Sequence, residues 1–137
     1  MSTDLEALGL AVKRAQYRNH RTMDVALRGV GITLVQWDAL RAVERMPGAS
    51  AHDLALATFQ SDQAFGTLAN RLVDRGLVVR SAGRGRRIEH RLSDDGRALL
   101  GAGHAVAANV LDGLFAPLDA SQRATLMALL GELTADA

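Results

Sequence analysis

The sequence predicts a mainly α-helical fold with one small β-hairpin. It is a winged helix-turn-helix over residues 31–92, flanked by long helices at 3–30 and 93–137, in a single domain of 137 residues. Three observations carry this reading. First, residues 61–75 place Ala64, Phe65, Leu68, Leu72 and Val73 at spacings of three and four, one face of a helix. Second, Gly76 stops that helix, and the apolar run Leu77, Val78, Val79 follows it. A tip of Ser81, Ala82, Gly83, Arg84 and Gly85 then permits a tight turn, and Arg86–Leu92 returns as a second strand. Third, residues 71–91 hold seven Arg against Asp74 and Glu89, a net of +5 in a chain whose total is only +1. A basic hairpin beside an amphipathic helix is an electrostatic footprint for nucleic acid.

The remaining elements follow in order. Thr3 or Asp4 caps a helix running to residue 29, with Leu5, Leu8, Val12, Ala15, Val25 and Ala26 as its apolar stripe and Gly29 and Gly31 ending it. A helix of that length reaches about 40 Å, more than a small winged core covers. Thr33 caps a second helix, 34–45, with Leu34, Trp37, Leu40 and Val43 on one face. Pro47 and Gly48 break the chain, and Ala49 is placed to pair with the hairpin as a short third strand. Ser50 and Asp53 form the capping box of a third helix whose buried face is read as Leu54, Leu56 and Ala57. Phe59, Gln60 and Ser61 make the turn into the basic region. Beyond the hairpin, Ser93 caps a helix to about Ala116, with Leu99, Leu100, Val106, Val110, Leu111 and Leu114 apolar and several glycines that let another helix come close. Asp119 or Ser121 caps the last helix, which carries Leu126, Leu129, Leu130 and Leu133. Residues 92–137 sum to −4, a poor surface for DNA.

Composition excludes other classes. The absence of Cys removes disulfides, thiolate metal sites and a cysteine redox switch. No apolar run of roughly 18 residues and no signal-peptide pattern stand out, so no membrane partner is expected and the placement is cytoplasmic. His20, His52, His90 and His104 form no close ligand pair, so no metal is expected. The sequence offers no nucleophile triad or phosphate loop in a fitting context, and Gly83 and Gly85 are followed by a strand rather than a helix. Neither an enzyme nor a cofactor is expected.

The ordered elements, together with GITLVQWDALRAV at 31–43, RLVDRGLVVR at 71–80, HRLSDDGRALL at 90–100 and LDASQRATLMALLGEL at 118–133, resemble the MarR (multiple antibiotic resistance regulator) family of bacterial transcription factors. The resemblance covers nearly the whole chain. It implies a homodimer joined by the N- and C-terminal helices. It also implies binding to a pseudo-palindromic double-stranded operator, most often as a repressor, and release of DNA by a small aromatic or acidic effector or another signal. Two departures stand out. The family's wing commonly carries Asp-x-Arg, where this chain has Arg84, Gly85 and Arg86. Its recognition helix often carries Ser or Thr early and then Thr-Arg, where this chain has Gln63, Gly66 and Thr67.

The DNA-facing residues read from this pattern fall into four groups. Arg84, Arg86 and Arg87 belong to the wing, with Arg86 suited to a narrow minor groove. Gln63, Thr67 and Asn70 are the base readers, since Gln and Asn bond adenine bidentately and Thr touches the thymine methyl. Arg71 and Arg75 either take phosphate or, for Arg75, complement the helix C-terminus. Ser50 and Ser61 are caps in positions that also take phosphate. For the effector, Tyr17, His20, Arg21 and Trp37 supply either an aromatic wall with a cation, or ordinary core and dimer packing. Two other functions remain open at this stage: a dimeric winged module that binds protein as an antirepressor does, and a small-molecule sensor with weak DNA binding.

Overall fold

A computed structural model describes residues 4–135. Six helices and one hairpin run in the order α1 (Leu5–Arg28), α2 (Leu34–Arg45), α3 (Ala51–Ala57), α4 (Asp62–Asp74), β1 (Val78–Ala82), β2 (Ile88–Leu92), α5 (Asp94–Phe115) and α6 (Ala120–Thr134). Each helix starts on a side-chain cap that takes an otherwise unpaired backbone N–H: Asp4, Thr33, Ser50, Ser61, Ser93 and Asp119. Thr33 with Gln36, Ser50 with Asp53 and Asp119 with Gln122 close full capping boxes. Thr3, the other candidate cap of α1, lies outside the described residues.

The winged unit packs α2, α3 and α4 around Leu40, Leu54, Phe65 and Leu72, all fully buried. Gly76 follows α4 at φ +73°, where an L side chain would be strained, and the chain turns into β1. β1 and β2 pair antiparallel with Val78 opposite Leu92 and Ala82 opposite Ile88. Ala49 bridges His90 as the expected third strand. The hairpin's limits differ from those its sequence suggested. Ser81 and Ala82 belong to β1, Arg86 and Arg87 belong to the tip rather than to β2, and Leu77 is a buried residue ahead of β1. Register explains this: the pairing continues outward from Val78 and Leu92 until the glycines force the turn.

Helix α1 runs along α5, and α2 contacts both. α5 is long and apolar enough, by length and composition, to cross a membrane, which corrects the sequence reading that no such stretch exists. Part of its apolar surface is used inside the protein: Gly96, Leu100, Gly103 and Ala107 are buried. Two more burial patterns differ from the sequence reading. In α1 the buried residues are Met23 and Leu27, while Val25 is exposed. In α3 they are Leu54 and Ala55, while Leu56 and Ala57 face outward. α3 packs against α4, α2 and β2, and in so short a helix Leu54 and Ala55 are the residues buried by those neighbours. The first half of α1 and the whole of α6 bury nothing in this chain; Leu5, Leu8, Met127, Leu129 and Leu133 stand exposed.

The glycines of α5 are fitted to their neighbours. A Cβ on Gly103 would strike the Trp37 indole, and one on Gly96 would strike the Leu77 carbonyl. Gly103→Ala should therefore destabilise the fold by about 1–3 kcal/mol, the usual range for overpacking, despite alanine's better helix propensity. Urea unfolding checks this; a stabilised variant would show that the indole is not seated on α5 as described.

Candidate nucleic-acid interface

Helix α4 turns Phe65, Leu68, Ala69 and Leu72 inward. At about 100° per residue, Gln63, Thr67 and Asn70 fall within about 60° of one another on the opposite face, and all three are exposed. The Thr67 hydroxyl donates to the Gln63 carbonyl at 3.2 Å. What Thr67 presents outward is thus a methyl group and an acceptor oxygen. Ser61 Oγ accepts from Ala64 N at 3.1 Å and Ser50 Oγ from Asp53 N at 3.2 Å, so both serines act as caps.

The seven arginines of residues 71–91 divide into two sets. Arg71, Arg84 and Arg86 are exposed and make no ion pair or side-chain hydrogen bond among the described residues. The others are engaged. Arg87 donates to Asp53 Oδ2 at 3.0 Å and to the Gly48 carbonyl at 3.4 Å, tying the hairpin to α3. Asp53 is held below the usual carboxylate range, first by the Ser50 backbone N–H, then by the Ser50 side chain and Arg87. Arg80 Nε donates to His90 Nε2 at 3.3 Å. With that nitrogen accepting, the buried imidazole carries its proton on Nδ1 and donates to the Ala49 carbonyl at 3.0 Å. Arg91 pairs with Glu89 at 3.6 Å. Arg75, read from sequence as a phosphate contact or a helix-end cation, reaches back instead. Its guanidinium donates to the Gly31 carbonyl at 2.9 Å and to Gln36 Oε1 at 3.3 Å. Gly31 and Gln36 lie far from Arg75 in the chain, so no local pattern announces the tie.

A second feature lies between α1, α2 and α5: a cleft of about 550 Å³. Of the four residues nominated for an effector, His20 and Trp37 line it and Tyr17 and Arg21 do not. The helical period explains the split. Gln16, Asn19, His20 and Met23 share the cleft face of α1, and Tyr17 and Arg21 are turned away from it by about 100° or more. Tyr17 and Arg21 bond each other outside, at 3.2 Å. The cation is Arg41, whose guanidinium lies 4.7 Å from the Trp37 ring centroid. Trp37 also donates from Nε1 to the Leu100 carbonyl at 3.2 Å and meets His104 edge to face at 5.3 Å. Asp38, 3.6 Å from Arg41, is raised above the usual carboxylate range by burial, with Arg41 pulling the other way. Sequence reasoning missed Arg41, Asp38 and His104. The signal was available for Arg41 and Asp38, which sit one turn and one residue from Trp37 on α2.

A helix that offers amides and a hydroxyl outward, beside a hairpin with uncommitted arginines, defines a winged helix-turn-helix regulator of transcription. The profile of the MarR family matches residues 30–88. A transcriptional repressor of Mycobacterium tuberculosis, Rv2887, is 32% identical over 116 residues, 83% of this chain and 84% of that protein. The chain belongs to the MarR family. The crystal structure of Rv2887 with p-aminosalicylic acid has a TM-score of 0.77 at 30% identity, covering 93% of this chain and 98% of that one. Its complex with DNA has a TM-score of 0.76 at 28% identity, covering 92% and 96%. A probable transcriptional regulator from Pseudomonas aeruginosa has a TM-score of 0.82 at 32% identity, covering 91% and 95%.

The Arg87–Asp53 tie yields a test. Arg87→Met should leave global stability nearly unchanged, because the pair is exposed and screened by solvent, yet lower amide protection in the tip and β2. Asp53 has a lowered pKa, so its contribution is present above its unfolded value and fades as pH falls through the folded one. Protection of the wild-type hairpin amides, taken relative to the intrinsic exchange rate at each pH, should therefore fall in acid, and the Arg87→Met protein should show less of that fall. Equal exchange in both proteins at neutral pH would remove Arg87 as the fastening.

Proposed function

We propose that this protein is a homodimeric repressor that binds a pseudo-palindromic operator and releases it when a small aromatic acid enters the cleft. The observation that carries the reading is the combination of the exposed Gln63, Thr67 and Asn70 on α4 with the uncommitted Arg84 and Arg86 at the tip of the hairpin that follows it. α4 enters the major groove, where Gln63, Thr67 and Asn70 meet base edges. The hairpin reaches the adjacent minor groove with Arg86, and Arg84 and Arg71 take phosphate. Ser50 and Ser61 stand at the starts of α3 and α4 and offer hydroxyl groups to the backbone. Arg75 and Arg87, also nominated for DNA, serve it indirectly by fixing the two reading elements.

The exposed apolar residues of α1 and α6 supply the dimer contact, because patches of this kind on a helix end are otherwise unsupported in water. Two-fold symmetry then sets the recognition helices roughly 34 Å apart, one turn of DNA. In the cleft, Arg41 pairs with the effector's carboxylate and the Trp37 and His104 rings flank its aromatic ring. The relative Rv2887, solved both with DNA and with p-aminosalicylic acid, supports this combination. The protein acts by binding, not catalysis, in the cytoplasm.

Fluorescence anisotropy on duplexes from the gene's own upstream region, with scrambled controls, tests the whole reading. Arg86→Ala should weaken binding and reduce the slope of log affinity against log salt by about 0.9 for each phosphate left unneutralised. An unchanged slope would remove the wing from the interface. Gln63→Ala should relax base preference at one position in each half-site, by about 1–3 kcal/mol, while an unaltered profile in selection from random DNA would count against it. Salicylate should lower wild-type affinity and leave Arg41→Ala bound; release of both alike would place the effector elsewhere.

A further inference from the structure

The recognition helix opens on a carboxylate. Asp62 is the first residue of α4, with its side chain 70% exposed, a position that a DNA polyanion should disfavour. His52, from the first turn of α3, meets it: Nδ1 lies 2.9 Å from Asp62 Oδ1, and the imidazole is 65% exposed. The pair links the starts of the two helices of the helix-turn-helix. In that motif the first helix crosses the DNA backbone while the second enters the groove, so this junction faces phosphate.

The chemistry of the pair restricts what the imidazole can do. An ionised carboxylate only accepts, so Nδ1 carries a proton in both states of His52. In the neutral ring, Nε2 is then a bare lone pair and repels a phosphate oxygen. In the imidazolium, Nε2 is a charged donor. No other side-chain partner of His52 occurs among the described residues. The surrounding charges favour the proton. Asp62 from α4 and Asp53 next in α3 raise the His52 pKa above its ordinary value, the Asp62 hydrogen bond most of all. Arg87 from the hairpin tip is held on Asp53, and Glu89 and Arg91 of β2 pair with each other. Arg41 and Arg45 of α2 lie toward the far end of α3, in the groove lined by Ala57 and Phe59.

We propose that His52 is a proton-linked contact to the DNA backbone, held in one tautomer by Asp62 and able to grip phosphate only as the imidazolium, so that each protomer takes up protons when DNA binds. The inference deepens the operator-binding reading and rests on it. A nearby phosphate raises the His52 pKa further, so affinity is greatest below the free protein's value and falls as pH climbs through the free and then the bound value. Each unit between those two values amounts to about tenfold in affinity per protomer.

The test is the affinity of the full chain for its upstream duplex and for a duplex of arbitrary sequence, at constant salt from about pH 6 to 8.5, the span around an ordinary imidazole pKa. Wild type should weaken severalfold or more as pH rises. His52→Gln should flatten that fall on both duplexes, although His20, His90 and His104 remain. His52→Lys should bind tightly across the range. The His52 ring-proton resonance should titrate at higher pH in the complex than in the free protein. Parallel profiles for wild type and His52→Gln, or a His52 titration unmoved by DNA, would overturn the inference and leave the operator reading intact. Failure of wild type to bind either duplex at any pH would overturn both together.

Discussion

A seated side chain lies at the centre of the join between the winged unit and the long helices. Trp37 of α2 lies against α5 where Gly103 leaves room for its indole, and its Nε1 finds the Leu100 carbonyl. A buried indole N–H without a partner is costly, so this bond and the glycine gap together fix the rotation of α2 against α5. The winged unit is built on α2, and thus its angle to the long helices depends on that contact. The same ring is a wall of the cleft, with Arg41 over it and His104 at its edge. Under the proposed function, a molecule entering the cleft meets the residue that links α2 to α5, which is a physical route from effector to recognition helix.

The polar ties around the winged unit follow a related logic. Asp24 of α1 accepts from Leu34 N at 2.9 Å, and Arg75 at the end of α4 holds the Gly31 carbonyl and Gln36. The start of α2 is thereby clamped to both α1 and α4. The hairpin is fastened at its base by Ala49, His90 and Arg80, and at its shoulder by Arg87 on Asp53. Its outermost arginines, Arg84 and Arg86, are left to solvent. A base held by hydrogen bonds and a tip left uncommitted is the division of labour that the proposed wing contact needs, since such an element can bind without reorganising.

The departures from the family's usual wing gain a physical context here. An acid two residues before Arg86 would restrain that arginine locally; Arg84 in its place adds charge and removes the restraint. The restraint that remains comes from further back, through Arg87 and Asp53. In the recognition helix Thr67 stands where the family often has arginine, so the outward chemistry there is two amides and a threonine methyl with its acceptor oxygen, which suits adenine and thymine edges more than guanine.

The sequence by itself determined the secondary structure and its order. Caps, glycines and apolar spacing are local signals, and the forces behind them act within a few residues. It also grouped Gln63, Thr67 and Asn70 on one exposed face of α4, by periodicity alone. What only the tertiary structure decided was the fate of side chains whose partners are distant in sequence. Arg75 and Arg87 are ties because Gly31, Gln36 and Asp53 arrive next to them. Tyr17 and Arg21 are outside the cleft, and Arg41 is inside it, because the mutual packing of α1, α2 and α5 selects one strip of each helix. Leu56 faces outward because α2, α4 and β2 all pack on the other side of α3, where Leu54 and Ala55 are buried. Periodicity says which residues share a face; only the arrangement of neighbouring elements says what that face meets.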